Sequence, residues 1–203
     1  MKRRRAGRVP GKNAAERRER SHEKIRSAAA RLLRRDGLRG ASVRKVMAAA
    51  GLTGGGFYAH FRSKEALFAD AFSCAAHEKR KRLTGTLGDA RGASYVDRFL
   101  NAYLTADHRD NLQDSCPYSA LLSELPRAGR SVRSRVREDF VAGVKAFADR
   151  LDPNDPQESR RKAILVLCLS FGALAMSRTL EDYPEADELL RVASTASKYW
   201  RVC

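Results

Sequence analysis

The sequence of 203 residues is poor in the side chains that build sheets. It contains 2 Ile, 11 Val and 6 Thr, against 31 Ala and 21 Leu. β-branched residues favour strands and straight-chain residues favour helices, so the balance excludes a large sheet and predicts an all-α protein. Long apolar runs are scarce too. The longest, Ala163–Ala175, is interrupted by Ser170 and falls short of the about 20 residues that a membrane span requires. The basic N-terminus has no apolar segment behind it, so neither a signal peptide nor an export signal at Arg3-Arg4 is expected. The four cysteines, Cys74, Cys116, Cys168 and Cys203, lie 42, 52 and 35 residues apart. None forms a CxxC or metal-ligand pair, so free thiols in a cytoplasmic chain are expected, with no metal and no cofactor.

Acidic residues are the other deficit. The chain has 40 Lys+Arg against 24 Asp+Glu, a net charge of +16. Most of that excess lies early: residues 1–70 carry 19 Lys+Arg and 6 Asp+Glu, and the remainder carries 21 and 18. A basic module on a near-neutral body points to a polyanion partner, most simply nucleic acid. Charge alone is equally compatible with a solvated basic surface, and it does not separate DNA from RNA or an acidic membrane.

Periodicity divides the chain. Residues 1–19 read as a flexible basic arm, with Pro10-Gly11 breaking any helix. Ile25, Ala28, Ala29, Leu32 and Leu33 mark a first helix from about Ser21 to Arg35, closed by Gly37 in a left-handed cap. Ser42 caps a short helix over 43–50, Gly51 stops it, and a third short helix follows at about 54–61. Ser63 then caps a helix from Lys64 to about Arg82. The Gly-rich stretch 84–92 reads as a boundary, giving a DNA-binding unit at 20–80 and a helical body at 81–203. In the body, helices are expected at 93–105, 129–151, 156–178 and 185–199. A polar loop at 106–115 leads to a short helix, capped by Ser115, with Cys116 and Pro117 in its first turn.

Two short helices joined at Gly51 after a supporting helix form a helix-turn-helix pattern spanning 42–61. The run S-V-R-K-V-M-A-A-A-G-L-T-G-G-G-F-Y-A-H-F-R-S-K-E-A-L, residues 42–67, resembles the DNA-binding domain of TetR-type transcriptional regulators. The resemblance extends from about Ser21 to Phe72, and it implies roles for the matching positions. Ser42 and Arg44 would contact phosphates, and Thr53 would cap the reading helix and touch backbone or a thymine methyl. Tyr58 and His60 would face the groove or its phosphate wall, and Lys64 would pair with a phosphate. Gly54, Gly55 and Gly56 open the reading helix. Gly55 fits the family pattern, while Gly54 and Gly56 remove side chains and disfavour helix. Base readout would then rest chiefly on Tyr58, Arg44 and the arm, and the reading helix would be loose until DNA binds. The arm either follows the DNA or is a tail that adds non-specific affinity.

The resemblance further implies that the body is a ligand-binding and dimerisation domain. The apolar helix at 156–178 and the last helix, with Leu189, Leu190, Val192, Ala193, Ala196 and Trp200, would pair across a homodimer, or else fill the monomer core. A dimer would read a palindromic operator in double-stranded DNA. Tyr95, Phe99, Tyr103, Tyr118, Phe140 and Phe147 are candidate pocket residues for a small-molecule effector, and equally candidate core. Cys116 is a candidate switch: a helix N-terminus lowers a thiol pKa, and His108 and Arg109 are near in sequence. The run S-C-P-Y-S-A-L-L-S-E-L looks similar to regulators that sense electrophiles through one cysteine. Cys168 is expected in the core and Cys203 at the surface. The leading reading is therefore a repressor released by a small molecule or thiol modification. Its alternative is a non-specific nucleic-acid-binding protein. An enzyme using Cys116 and His108 has no acid/base pair, Gly-rich phosphate loop or metal cluster to support it.

Overall fold

Ala-rich segments with an apolar side chain every third or fourth residue fold as helices wherever that stripe is buried. The structure, a computed structural model, describes residues 10–202 and contains no strand among them. Three helices surround the first core: α1 (Pro10–Gly40), α2 (Val43–Ala49) and α3 (Lys64–Leu87), with a 3-10 turn at Gly54–Ala59. Ile25, Leu33, Val46, Met47, Phe57 and Leu67 fill it. The second core lies among α4 (Gly92–Tyr103), α5 (Ala106–Asp110), α6 (Pro117–Leu121), α7 (Arg130–Ala148), α8 (Pro156–Thr179) and α9 (Glu185–Ser194). Its centre is Phe99, Leu100, Tyr103, Val144, Val166 and Leu174.

Several expected boundaries move, each for a local reason. Helix α1 starts at Pro10, not Ser21, so residues 10–19 are helical where a flexible arm was expected. Proline has no N–H to lose in a first turn, so Pro10 opens this helix instead of breaking it. Residues 1–9 of the expected arm, Cys203 and the Trp200 side chain lie outside what the structure describes. Helix α3 runs through Gly85 to Leu87, so the expected border after residue 80 falls inside one helix; the chain turns at Gly88, φ 57°. The polar stretch 106–115 is α5 plus a 3-10 turn at Leu112–Asp114. Thr105 Oγ1 accepts the His108 N–H and Asn111 Oδ1 accepts that of Asp114. The capping position of α6 is Cys116, not Ser115, with Pro117 first in the helix.

Helix α8 corrects the argument from run length. Its 24 residues include an 18-residue window of mean hydropathy 1.4, enough by length and composition to cross a membrane. Here its inner face packs on α4, α6, α7 and α9. Leu165, Cys168 and Met176 point outward, so Cys168 is exposed where a core position was expected.

Two carboxylates tie the cores together at helix ends. Glu124 Oε2 accepts the Leu38 N–H at 2.9 Å, just past the Gly37 cap. Glu65 Oε1 accepts the Ser131 N–H at 2.8 Å, in the first turn of α7. Each accepts a donor that helix geometry leaves without an intrahelical partner. Gly37 has φ 74°, and a Cβ there would run into the Glu124 carboxylate. Gly37→Ala is expected to cost about 2 kcal/mol. Gly85→Ala, with open space around it inside α3, should stabilise by about 0.5–1 kcal/mol. Denaturant midpoints of the two variants check this; equal midpoints would contradict the packing described.

Candidate nucleic-acid interface and effector cavity

The helix-turn-helix is assembled by caps and one aromatic wedge. Ser42 Oγ accepts the Lys45 N–H at 3.2 Å and starts α2, leaving Arg44 exposed on its first turn. Gly51 turns the chain at φ 70°, a conformation that suits glycine. Phe57 and Phe61, nearly parallel with centroids 6.0 Å apart, point inward and anchor the following segment. That segment, Gly54–Ala59, is a 3-10 turn and not an α-helix. Three glycines at its start disfavour a regular α-helix, and the segment stays a short, tighter 3-10 turn. Thr53 occupies the cap position, exposed, but its hydroxyl makes no cap bond. Tyr58 projects with 79% of its surface exposed. Ser63 Oγ accepts the Ala66 N–H and sets Lys64 at the head of α3, with Nζ 5.0 Å from the Phe68 ring. Ser42, Arg44, Thr53, Gly54, Gly55, Tyr58 and Lys64 thus sit on or beside the turn and the two helix starts that flank it.

His60 departs from this group. Its ring lies half-buried, 6.1 Å from that of His22 on α1, and its Nδ1 is buried without a partner. Burial, then the neighbouring His22 and Arg18, hold its pKa below the usual histidine value. His22 stacks on Phe61 at 4.4 Å and lies 3.5 Å from Asp70. Arg18 Nη2 donates to the Ala59 carbonyl at 2.9 Å. The N-terminal part of α1 therefore closes the far end of the reading turn, a role that the sequence reading assigned to no residue. Helical continuation through 10–20 is what brings Arg18 there.

The body contains a cavity of about 80 Å³. All six aromatic candidates, Tyr95, Phe99, Tyr103, Tyr118, Phe140 and Phe147, line it together, and so does Cys116. Tyr118 stacks parallel to Phe171 at 4.8 Å, and Phe147 meets both Tyr95 and Phe99 edge-on at 4.9 Å. The sequence reading missed the polar wall: Lys79 and Arg80 from α3 and Asp139 from α7. The signal was present as spacing, since Ala76, Lys79, Arg80 and Leu83 form one helical stripe.

Cys116 is buried, with 5% of its surface exposed, and burial raises its thiol pKa. This is opposite to the lowering expected from a helix start. The loop does fold back onto it, as a scaffold. His108 Nε2 accepts the Cys116 N–H at 3.0 Å, so its Nδ1 carries the proton and donates to the Tyr103 carbonyl at 2.7 Å. His108 is thereby held neutral, with its pKa lowered to about 3, chiefly by burial. Arg109 turns away to Asp110 and Asp187. Arg178 of α8 braces the same loop, donating to the His108 carbonyl at 2.9 Å, the Arg109 carbonyl at 3.0 Å and Ser115 Oγ.

Residues 25–71 match the model of the family described as bacterial regulatory proteins, tetR family. No curated protein sequence matches significantly. Among solved structures, a TetR transcriptional regulator from Chloroflexus aurantiacus J-10-FL is 26% identical, with a TM-score of 0.74 over 91% of this chain and 96% of that one. A TetR-family regulator from Cytophaga hutchinsonii is 19% identical, TM-score 0.73, covering 90% and 95%. The reduced form of NemR from E. coli is 20% identical, TM-score 0.70, covering 88% and 95%.

The depressed His108 pKa has a defined consequence for stability. Between the ordinary histidine value near 6.5 and about 3, the unfolded chain binds a proton at His108 that the folded chain does not. Stability is therefore expected to fall as pH drops through that window. His108→Gln should remove part of the slope. Urea midpoints from pH 7 to 4 (working values, roughly spanning that window) check this, and parallel slopes for both proteins would contradict the neutral, buried role.

Proposed function

We propose that this chain, a TetR-family protein by its DNA-binding motif and its fold, is a sequence-specific repressor. On this reading a homodimer binds a palindromic operator and a small molecule in the aromatic cavity releases it. The observation that carries the DNA-binding part is the placement of Tyr58. A large aromatic side chain, 79% exposed, stands on the reading turn and is supported from below by Phe57. Basic and hydroxyl groups for phosphates flank it at Ser42, Arg44 and Lys64. The turn's 3-10 form supports the idea that it rearranges into a regular reading helix on DNA.

Exposed apolar side chains on α8, on α9 and on the 3-10 turn Ala196–Val202 that follows it support the dimer. Leu165, Met176, Val192 and Tyr199 all face outward, beside a shallow groove between the two helices. Burying such a face against a copy of itself is how two-fold dimers form. A cytoplasmic location accords with a DNA partner. Release by thiol modification remains a second reading, because Cys116 lines the cavity. Because Cys116 is buried, an electrophile would have to enter the cavity to reach it, and the raised pKa keeps the thiol mostly protonated. Catalysis is not part of the proposal, since His108 uses both ring nitrogens on backbone groups.

Binding to DNA from upstream of the chain's own gene, compared with a scrambled fragment at two salt concentrations, tests the reading. Tyr58→Ala should cost about 1–3 kcal/mol on the operator and little on the scrambled fragment. Lys64→Ala should weaken both alike and reduce the salt slope by about one per protomer. Equal affinity of the unmodified protein for both fragments would favour non-specific binding. Met176→Glu should convert a dimer to a monomer in sedimentation and weaken operator binding; an unchanged dimer would move the interface elsewhere. Cys116→Ser should bind the operator normally. If it is still released by a thiol-reactive electrophile, the thiol reading fails.

A further inference from the structure

The cavity's charge is as distinctive as its aromatic lining. Lys79 and Arg80 enter it side by side from α3, and neither has a hydrogen bond or ion pair from its charged end among the described residues. Behind Lys79 lies more positive charge. Arg34 of α1 is buried, with 5% of its surface exposed, and its Nε and Nη1 have no hydrogen-bond partner. Lys79 feels both Arg34 and Arg82; Asp114, 3.7 Å from Arg82, offsets them in part. Glu78, also near Arg34, accepts a hydrogen bond from the Cys74 thiol. Burial, helped by those cations, holds the Lys79 pKa below the usual lysine value. Buried cations without partners are costly unless an anion joins them.

The α7 side of the same polar wall asks for something different. Asp139 Oδ1 accepts the Ser73 hydroxyl at 3.2 Å, but its buried Oδ2 has no partner. Around these poles stand the faces and edges of Phe99, Tyr118, Phe140 and Phe171, which fit a flat ring. Gly143 of α7 lies directly against Arg80: a Cβ there would come within 3.4 Å of Arg80 Nη1, so the glycine leaves room for the guanidinium.

Resting on the reading of a ligand-released repressor, we infer that the cavity takes a compact aromatic acid. Its ring lies between the aromatic walls and its carboxylate is bound by Lys79 and Arg80. A hydroxyl on the ring gains further by donating to Asp139. The open volume of about 80 Å³ is roughly half that of an engineered cavity that holds benzene, about 150 Å³. A ring therefore enters only by displacing a wall. The wall that attracts it is α3, the helix that begins at Lys64 in the DNA-binding unit. Occupancy and movement of that unit are thus joined through one element.

The test is calorimetric titration of the full chain with benzoate, the three hydroxybenzoates, benzamide and benzyltrimethylammonium. Fluorescence anisotropy of labelled operator DNA runs in parallel. Benzoate is expected to bind at least about tenfold tighter than benzamide, as a charge-assisted bond to a partly buried cation allows. At least one hydroxybenzoate should exceed benzoate, and that gain should vanish in Asp139→Asn. Lys79→Met should lose about tenfold or more for the acids with benzamide unchanged, and Lys79→Arg should recover most of it. If Lys79→Met fails to fold by circular dichroism, the benzoate-to-benzamide ratio in the unaltered protein decides. Equal binding of acid and amide, preference for the cation, or no binding of any acid at millimolar concentration would overturn the inference. Operator binding without ligand is a separate readout. If it holds and a neutral ring alone releases the operator, the repressor reading survives and the aromatic acid does not.

Discussion

The structure depends on the continuity of α3. A helix of 24 residues is about 36 Å long, and its internal hydrogen bonds make it move as a unit. Its first turn carries Lys64 beside the reading turn and Glu65 against α7. Its middle buries Phe68 and Phe72 in the first core. Further along, Lys79 and Arg80 enter the cavity, and Leu87 closes in the second core. One helix thus runs from the reading turn to the aromatic cavity. The bonds Glu124–Leu38 and Glu65–Ser131 add fixed points to either side, and α1 packs against α6 and the turn at Leu112–Asp114.

Polar groups in the body fall into two sets, and the difference is informative. Around Cys116, His108, Arg178, Ser115 and Ser119 satisfy one another and nearby carbonyls. Such a network makes a rigid floor, because any loss exposes a buried donor or acceptor. Arg34, Lys79, Arg80 and Asp139 Oδ2 lack such closure. A fold selected only for stability would pair or remove them. The position of Lys79, Arg80 and Asp139 beside a cavity, and not within a filled core, is consistent with groups completed by an occupant.

The helical class and the DNA-binding motif were legible because they are local. Ser42, Gly51 and Ser63 act on their own turns, and apolar spacing in α2 and α7 marks the buried face without reference to the rest of the chain. The same logic misread residues 10–19, where proline at a helix start and proline as a breaker look alike in sequence. It also misread Thr53, which holds the cap position but makes no cap bond, and the polar stretch at 106–115, where Thr105 and Asn111 supply caps. The outward face of α8 was not legible, since an all-round apolar helix gives no periodic sign of which side meets a partner.

By itself, the sequence determined the all-α class, the helix-turn-helix at 42–61 and the exposed basic and aromatic groups on it, because helix propensity and capping act within a few residues. It also marked the aromatic side chains of the body. Only the tertiary structure decided that those aromatics share one cavity and that Cys116 is buried there with a raised pKa. The same holds for His108 as a neutral scaffold and for Lys79, Arg80 and Asp139 meeting across from α3 and α7. Desolvation and charge proximity depend on neighbours that lie 60 residues or more apart in the chain, as Ser73 and Asp139 do, and no local pattern encodes which distant surfaces will face each other.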